Sequence, residues 1–193
     1  QHSEEDFAMT AKDLPTPATL RKLLSYDPDT GLMTWKYRPP EMFATMLDYK
    51  AWNARLSGKP AFATVKGDGY LMGRLFYRLH RSHRVAYAIY HGAWPTGEVD
   101  HKNGDRSDNR ITNLRDVTRS ENQRNAATPC TNTSGHIGVS WHKRAGKWRA
   151  RISTGSKQIY LGLFEKFDDA VAARAAAEVK YGYHPNHGRP ALA

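Results

Sequence analysis

Residues 98–125 read EVDHKNGDRSDNRITNLRDVTRSENQRN, and the fold turns on how this stretch divides. Glu98–His101 is extended by composition and runs into Lys102-Asn103-Gly104, a turn signal that ends a strand at His101. Lys102–Ile111 is a polar, turn-rich loop, Asn113–Thr118 a second strand, and Arg119 opens a helix. Thr118 and Glu121 have the Thr-x-x-Glu spacing of a capping box, which makes Thr118 the expected N-cap and puts Asn122 near the end of the first helical turn. Pro129 keeps that helix from running far past Ala127.

A strand, loop, strand and helix return distant residues to one another: Asn113 lies 13 positions and Asn122 lies 22 positions after Asp100. The Asp100 carboxylate and the Asn122 amide oxygen suit a hard divalent cation, with positions left for water and a phosphate oxygen. Such a cation withdraws charge from a phosphodiester and stabilises its leaving oxygen. His101 is the expected general base, since an imidazole with a pKa near about 6.5 accepts a proton at neutral pH. Asn113, on the second strand, is expected to hold the other ring nitrogen through its amide oxygen. Neighbouring strand side chains point to opposite faces, so Asp100 and His101 share a phosphate only at a twisted strand end. Asn103, Asp105, Asp108 and Asn109 read as turn residues, and the glycine and glutamate sit at the wrong offsets for a calcium loop. His80, His83 and His91 read as structural or phosphate-facing. Each feature alone is commonplace; the weight lies in the combination.

Around this stretch the chain is strongly basic: 29 Lys and Arg against 19 Asp and Glu give a formal charge of +10 over 193 residues. That suits a polyanion. Asn122–Phe164 contains no acid but holds Arg124, Lys143, Arg144, Lys147, Arg149, Arg151 and Lys157, interleaved with Trp141, Trp148 and Tyr160, a pattern of nucleic-acid surfaces rather than membrane helices. Gly69–Gly97 is also acid-free and carries Arg74, Arg78, Arg81 and Arg84. One cysteine, Cys130, excludes an internal disulfide and a Cys-rich zinc site. No apolar run approaches a bilayer span, and the acidic, polar start is unlike a signal peptide, so the expected location is intracellular.

Elsewhere, Pro17–Ser25 is expected to form a short helix opened by proline, and YDPDTGLMTW a turn between extended segments with Gly31 in left-handed geometry. Residues 36–60 show no clear period beyond a short helix around Met42–Asn53. VKGDGYLMGRLFYRL reads as two strands about Gly67-Asp68-Gly69, and HRVAYAIYHG as a helix stopped by Gly92. Thr128–Gly135 is a linker by composition. Beyond it, three alternating strands turn at Ala145-Gly146 and Thr154-Gly155-Ser156. Val139, Trp141, Trp148, Ala150, Ile152, Ile159 and Leu161 face a core, and Ser140, His142, Arg149, Arg151, Ser153, Gln158 and Tyr160 face out. KFDDAVAARAAAEVKYG is an alanine-rich helix capped by Asp168 and ended by Gly182.

HRVAYAIYHGAWPTGEVDHKNGDRSDNRITNLRDVTRSENQRN closely resembles the HNH homing endonucleases of bacteriophages and their introns, a ββα-metal nuclease group. LLSYDPDTGLMTW is similar to the segment that commonly precedes this module. The resemblance implies His101 as general base, Asn113 as the residue orienting it, and Asp100 with Asn122 as metal ligands, Asn122 standing where many members carry histidine. The stretch GVSWHKRAGKWRARIS to FEKFDDAVAARAAAE is similar to the ethylene-response-factor (APETALA-type) DNA-binding domain, in which the outer face of a three-stranded sheet enters the major groove. That implies Ser140, His142, Arg144, Arg149, Arg151, Ser153, Gln158 and Tyr160 as DNA contacts, beside Arg84, Arg110, Arg124, Lys143 and Lys147. Ser140, His142, Ser153 and Gln158 stand where several plant domains carry arginine, the side chain best suited to guanine.

The expected fold is therefore α+β and multi-module. It comprises a lead-in (1–13), an N-terminal helix-hairpin segment (14–65), a central ββα-metal nuclease module (66–127) and a linker (128–134). A three-stranded antiparallel sheet packed on one helix (135–185) and a tail (186–193) follow. The expected function is a nuclease dependent on Mg2+ or Mn2+, without structural zinc, that nicks double-stranded DNA as a monomer, away from membranes, in the cytoplasm of a bacterial host if phage-encoded. A non-catalytic DNA-binding regulator is the alternative, and an RNA-binding protein a third class.

Overall fold

The computed structural model describes residues 14–155 and 157–190, so the expectations for 1–13, Ser156 and 191–193 lie outside the described residues. The chain divides into two compact units, one comprising the residues up to His101 with Asp105–Asp116, the other Lys102–Gly104 with the residues from Val117 onward. The fold mixes helices with several small antiparallel sheets.

In the first unit, α1 (Pro17–Leu23) opens on Thr16, whose hydroxyl accepts from the Thr19 amide, with proline at the first helical position. Strands β1 (Leu24–Tyr26), β2 (Met33–Trp35) and β3 (Pro60–Ala61) form one sheet. The β1–β2 turn closes at Gly31, where φ is +75°. Helix α2 (Met46–Leu56), capped by Thr45, starts four residues later than the expected Met42, because Pro40–Met42 form a separate 3-10 turn. Strands β4 (Thr64–Val65), β5 (Leu71–Leu75) and β6 (Arg78–Arg81) form a second sheet. The sequence did not announce β6, since its turn uses Phe76 and Tyr77, both at positive φ (46° and 63°) without glycine or asparagine. Helix α3 (Ser82–His91) stops at left-handed Gly92. Strand β7 (Glu98–His101) pairs with β8 (Leu114–Val117). One core joins Leu20, Leu23, Leu24, Met33, Phe62, Leu75, Val85, Ile89, Val99 and Leu114. Each fully buried aliphatic side chain contributes about 1.5–3 kcal/mol.

In the second unit, α4 (Arg119–Gln123) carries the expected capping box, with Thr118 Oγ1 accepting from the Glu121 amide and Glu121 Oε2 accepting from the Thr118 amide at 2.8 Å. Strands β9 (Val139–His142), β10 (Lys147–Thr154) and β11 (Lys157–Phe164) form an antiparallel sheet ordered β11-β10-β9, covered on one face by α5 (Phe167–Lys180). Val139, Ala150 and Ala170 are its buried centre, with Trp148, Leu161 and Phe167 packed on them. Two expectations need correction. Trp141 pairs with Trp148 across β9–β10 but lies on an edge strand and is 49% exposed. Helix α5 is entered at Lys166 without a side-chain cap, and Asp168 lies inside its first turn, where a carboxylate complements the helix dipole.

Candidate active site

Strand β7 delivers Asp100 and His101 at its end, both buried, at 7% and 3% exposure. The Arg115 guanidinium from β8 forks onto Asp100 Oδ2, its Nε at 2.8 Å and Nη2 at 2.6 Å. Arg115 drew no attention in the sequence; its register across the β7–β8 pair is a long-range fact.

His101 Nε2 lies 3.2 Å from Oδ1 of Asn109, whose Nδ2 donates to Ser82 Oγ at 3.2 Å. With the amide oxygen facing the ring, Nε2 is the nitrogen that donates to Asn109. Asn109 is 2% exposed. It was expected to be a turn residue; it is a buried support for the histidine. Asn113 sits in a 3-10 turn (Ile111–Asn113) just before β8, not on the strand, and its Nδ2 donates to the Asp108 carbonyl at 2.8 Å, closing the loop on itself. The loop conformation is built from asparagine and aspartate turns, Asp105 Oδ1 accepting from Ser107 N and Asp108 Oδ1 from Arg110 N.

The N-terminal hairpin buttresses the same loop. Tyr26 Oη donates to the Asn109 carbonyl at 2.8 Å, and Ile111 N to the Pro28 carbonyl at 3.0 Å. A Cβ at Gly31 would stand 2.5 Å from the Arg110 amide nitrogen, so the turn approaches the Asn109–Arg110 backbone more closely than any other residue permits.

Beside His101 stand His83 of α3, its ring centroid 5.0 Å away and nearly perpendicular, and Tyr70 at 5.8 Å. Arg81 and Arg106 lie over the Tyr70 ring at 4.2 and 5.0 Å. Burial pushes the His83 pKa down to about 3, with His101, Arg81 and Arg84 adding to the effect. Burial also lowers the His101 pKa, while the Asn109 hydrogen bond and the charges of Asp100, Asp105 and Asp108 oppose it. Both imidazoles are neutral at neutral pH, the form a proton acceptor needs.

Asn122 lies on α4, in the second unit. Among the described residues no group of three or more His, Cys, Asp and Glu is placed to hold a metal ion. One carboxylate and amide oxygens still fit magnesium, which keeps several waters and takes one or two protein carboxylates beside substrate phosphates.

The residues expected to touch DNA are spread over both units. Arg84 uses its guanidinium on the Gly97 and Pro95 carbonyls, a support of the segment entering β7. Arg110 is half exposed and paired with Asp108. In the second unit, cross-strand partners put Arg149 opposite Ser140, Lys147 opposite His142, Arg151 opposite Tyr160 and Ser153 opposite Gln158. Alternation along β10 turns Arg149, Arg151 and Ser153 away from the face on which Ala150 and Ile152 are buried. A register shift between Ala150 and Arg151 also brings Leu163 opposite Arg149. Arg149 reaches Ser140 Oγ, Arg151 reaches Gln158 Oε1, Lys147 pairs with Glu165, and Lys143 and Arg144 are exposed in the β9–β10 turn. Arg124, Arg151, Ser153 and Gln158 also line a cavity of about 420 Å³ in this unit, with Arg174, Tyr183 and His187.

Residues 80–124 match the HNH endonuclease family. A stretch of 84 residues is 36% identical to Protein 3.8 of Escherichia phage T7, covering 43% of this chain and 69% of that protein. No solved structure matches the chain. Among the described residues, no helix is long and apolar enough to cross a membrane.

Proposed function

The chain belongs to the family of that phage protein and carries an HNH endonuclease domain; from this premise we propose that it is a metal-dependent endonuclease of the homing type that nicks duplex DNA at a recognised site. The observation that carries the reading is His101, buried at the end of β7 beside Asp100 with Nε2 held by Asn109. His101 is the proposed general base that takes the proton of the attacking water. Asp100 and Asn122 are the proposed ligands of Mg2+ or Mn2+, on the strength of their oxygen donors and spacing. When bound, that ion would withdraw charge from the scissile phosphate and stabilise the leaving oxygen.

Arg110, Arg124, Lys143, Arg144 and the Arg149–Arg151 face supply phosphate contacts, whose affinity falls steeply with salt. A three-stranded sheet with a helix on one face and a basic opposite face supports the APETALA-type reader, with base contacts from Ser140, His142, Ser153, Gln158 and Tyr160. One site in a monomer makes one nick.

The test incubates supercoiled plasmid and phage-host DNA with the protein, with and without Mg2+, beside His101→Ala. Relaxed circles are expected only with the metal, and about 10²-fold more slowly in the variant. Equal nicking by His101→Ala overturns the mechanism. Wild type that binds duplex and never nicks makes the protein a non-catalytic DNA-binding regulator, the reading favoured by the Arg115 fork on Asp100.

A further inference from the structure

The residues flanking the proposed site on its C-terminal side are stitched together by a segment far outside the HNH match. Residues 184–189, HPNHGR, run beside 124–128. His184 N donates to the Arg124 carbonyl at 3.1 Å, Gly188 N to Ala126 at 2.9 Å, and Thr128 N returns to the Arg189 carbonyl at 2.8 Å. Thr128 Oγ1 adds a bond to the Gly188 carbonyl at 2.7 Å. Arg189 Nη1 donates to the Asn125 carbonyl and to Asn125 Oδ1. Asn186 Nδ2 donates at 2.8 Å to the carbonyl of Lys102, the residue that follows His101 in the chain, and Asn125 Nδ2 points at the same oxygen. Gly104 has φ +81°, and a methyl group there would collide with the Arg189 guanidinium.

The root of this segment is anchored. Arg174 of α5 is 3% exposed and joins the Arg151 carbonyl, Glu178 and His187 Nε2 at 2.6, 2.8 and 3.2 Å. Irregular backbone costs about 1–2 kcal/mol per residue to order. Here hydrogen bonds order three short segments jointly, two of them flanking His101 and Asn122.

We propose that residues 184–189 are a strap that positions the nuclease, with Asn186 and Arg189 as positioning residues for the backbone leaving His101 and the backbone leaving Asn122. The inference rests on the nuclease reading. It adds that the HNH stretch is incomplete without residues some 60 positions beyond it. Asn186 and Arg189 touch no reacting atom; they hold the loop that starts at Lys102 and the turn that ends α4, and with them the orientation of the groups those segments carry.

The full chain tests this in single-turnover nicking with Mg2+, beside duplex affinity measured without metal. Arg189→Ala is expected to lower the rate about 10- to 100-fold, the range for groups that orient ligands. Duplex affinity should stay within about twofold, a split that general unfolding does not produce. Gly104→Ala should reproduce the loss from the other side of the contact, and the double variant should be no slower than Arg189→Ala alone. Asn186→Ala removes one side-chain bond at a half-buried position and decides the matter if Arg189→Ala does not fold; its amides at 103 and 104 should exchange faster. An Arg189→Ala or Asn186→Ala protein that nicks at the wild-type rate, or loses activity only through duplex affinity, overturns the strap while leaving the nuclease reading intact. Wild type that binds and never nicks overturns both.

Discussion

Asn109→Ala tests whether the amide beside His101 supports the site or merely fills a turn. Asn109 is 2% exposed, and alanine removes both side-chain bonds, at 3.2 Å to His101 Nε2 and 3.2 Å to Ser82 Oγ, while the Tyr26 bond to its carbonyl survives. Ser82 and His101 are themselves buried, at 2% and 3% exposure. A buried polar group deprived of its partner costs about 1–3 kcal/mol, so the two together cost roughly 2–6 kcal/mol. That is a large share of the roughly 5–15 kcal/mol of an ordinary domain. The assay is amide exchange in α3 and β7, which reports the first unit alone, followed by nicking at matched folded fraction. Exchange protection should fall by that amount. The rate should fall about 10- to 100-fold because the ring loses what fixes its tautomer. Asn109→Asp keeps an acceptor for Nε2 and adds a negative charge, which raises the His101 pKa, so its activity should return with the acid limb of the pH profile moved upward. Unchanged protection in Asn109→Ala, with wild-type nicking, would refute the role.

Two further predictions concern stability. The folded-state pKa of His83 is about 3, below its unfolded value near 6.5, so between them the unfolded chain binds a proton that the folded one refuses. The contribution is complete above about pH 6.5 and is lost as pH falls, at roughly 1.4 kcal/mol per pH unit, or about 2–3 kcal/mol by pH 4.5. Urea unfolding of the first unit at pH 6.5 and 4.5 should show this drop, smaller in His83→Phe, and a flat profile would contradict it. Tyr77 is 92% exposed at φ 63°, so Tyr77→Asn, which tolerates that geometry, should stabilise the first unit by up to about 1 kcal/mol in thermal unfolding; a loss of stability would show that Tyr77 is held by contacts its exposure does not reveal.

What was legible in the sequence was local. The end of β7, the Thr118–Glu121 box, the Gly92 stop and the strands β9–β11 each rest on a signal within a few residues. The β5–β6 hairpin was illegible because Phe76 and Tyr77 carry no turn signal; the pairing of the strands forces them into left-handed geometry. Asn109 was misread because asparagine in a polar loop satisfies backbone far more often than it supports an imidazole, and what distinguishes it is Ser82, 27 positions earlier. Arg115 and the 184–189 strap were missed for the same reason. Each matters only through a partner that chain topology supplies, and neither periodicity nor spacing encodes which partner that is.

The charge balance around His101 follows from these long-range contacts. Asp100 carries the Arg115 guanidinium and both imidazoles are neutral through burial, so the carboxylate nearest His101 is already paired with a cation before substrate arrives. On the nuclease reading, a divalent cation at Asp100 adds positive charge where Arg115 already supplies it, a like-charge arrangement that low local dielectric makes unfavourable. A DNA phosphate would offset that repulsion by attracting both cations with its own negative charge. Phosphate and cation then favour each other's binding reciprocally, as any coupling between two ligands requires. On that reading Arg115 would make tight metal binding conditional on held DNA, so the same ion pair that argues for an idle fold would also keep a nuclease unloaded until its substrate is in place.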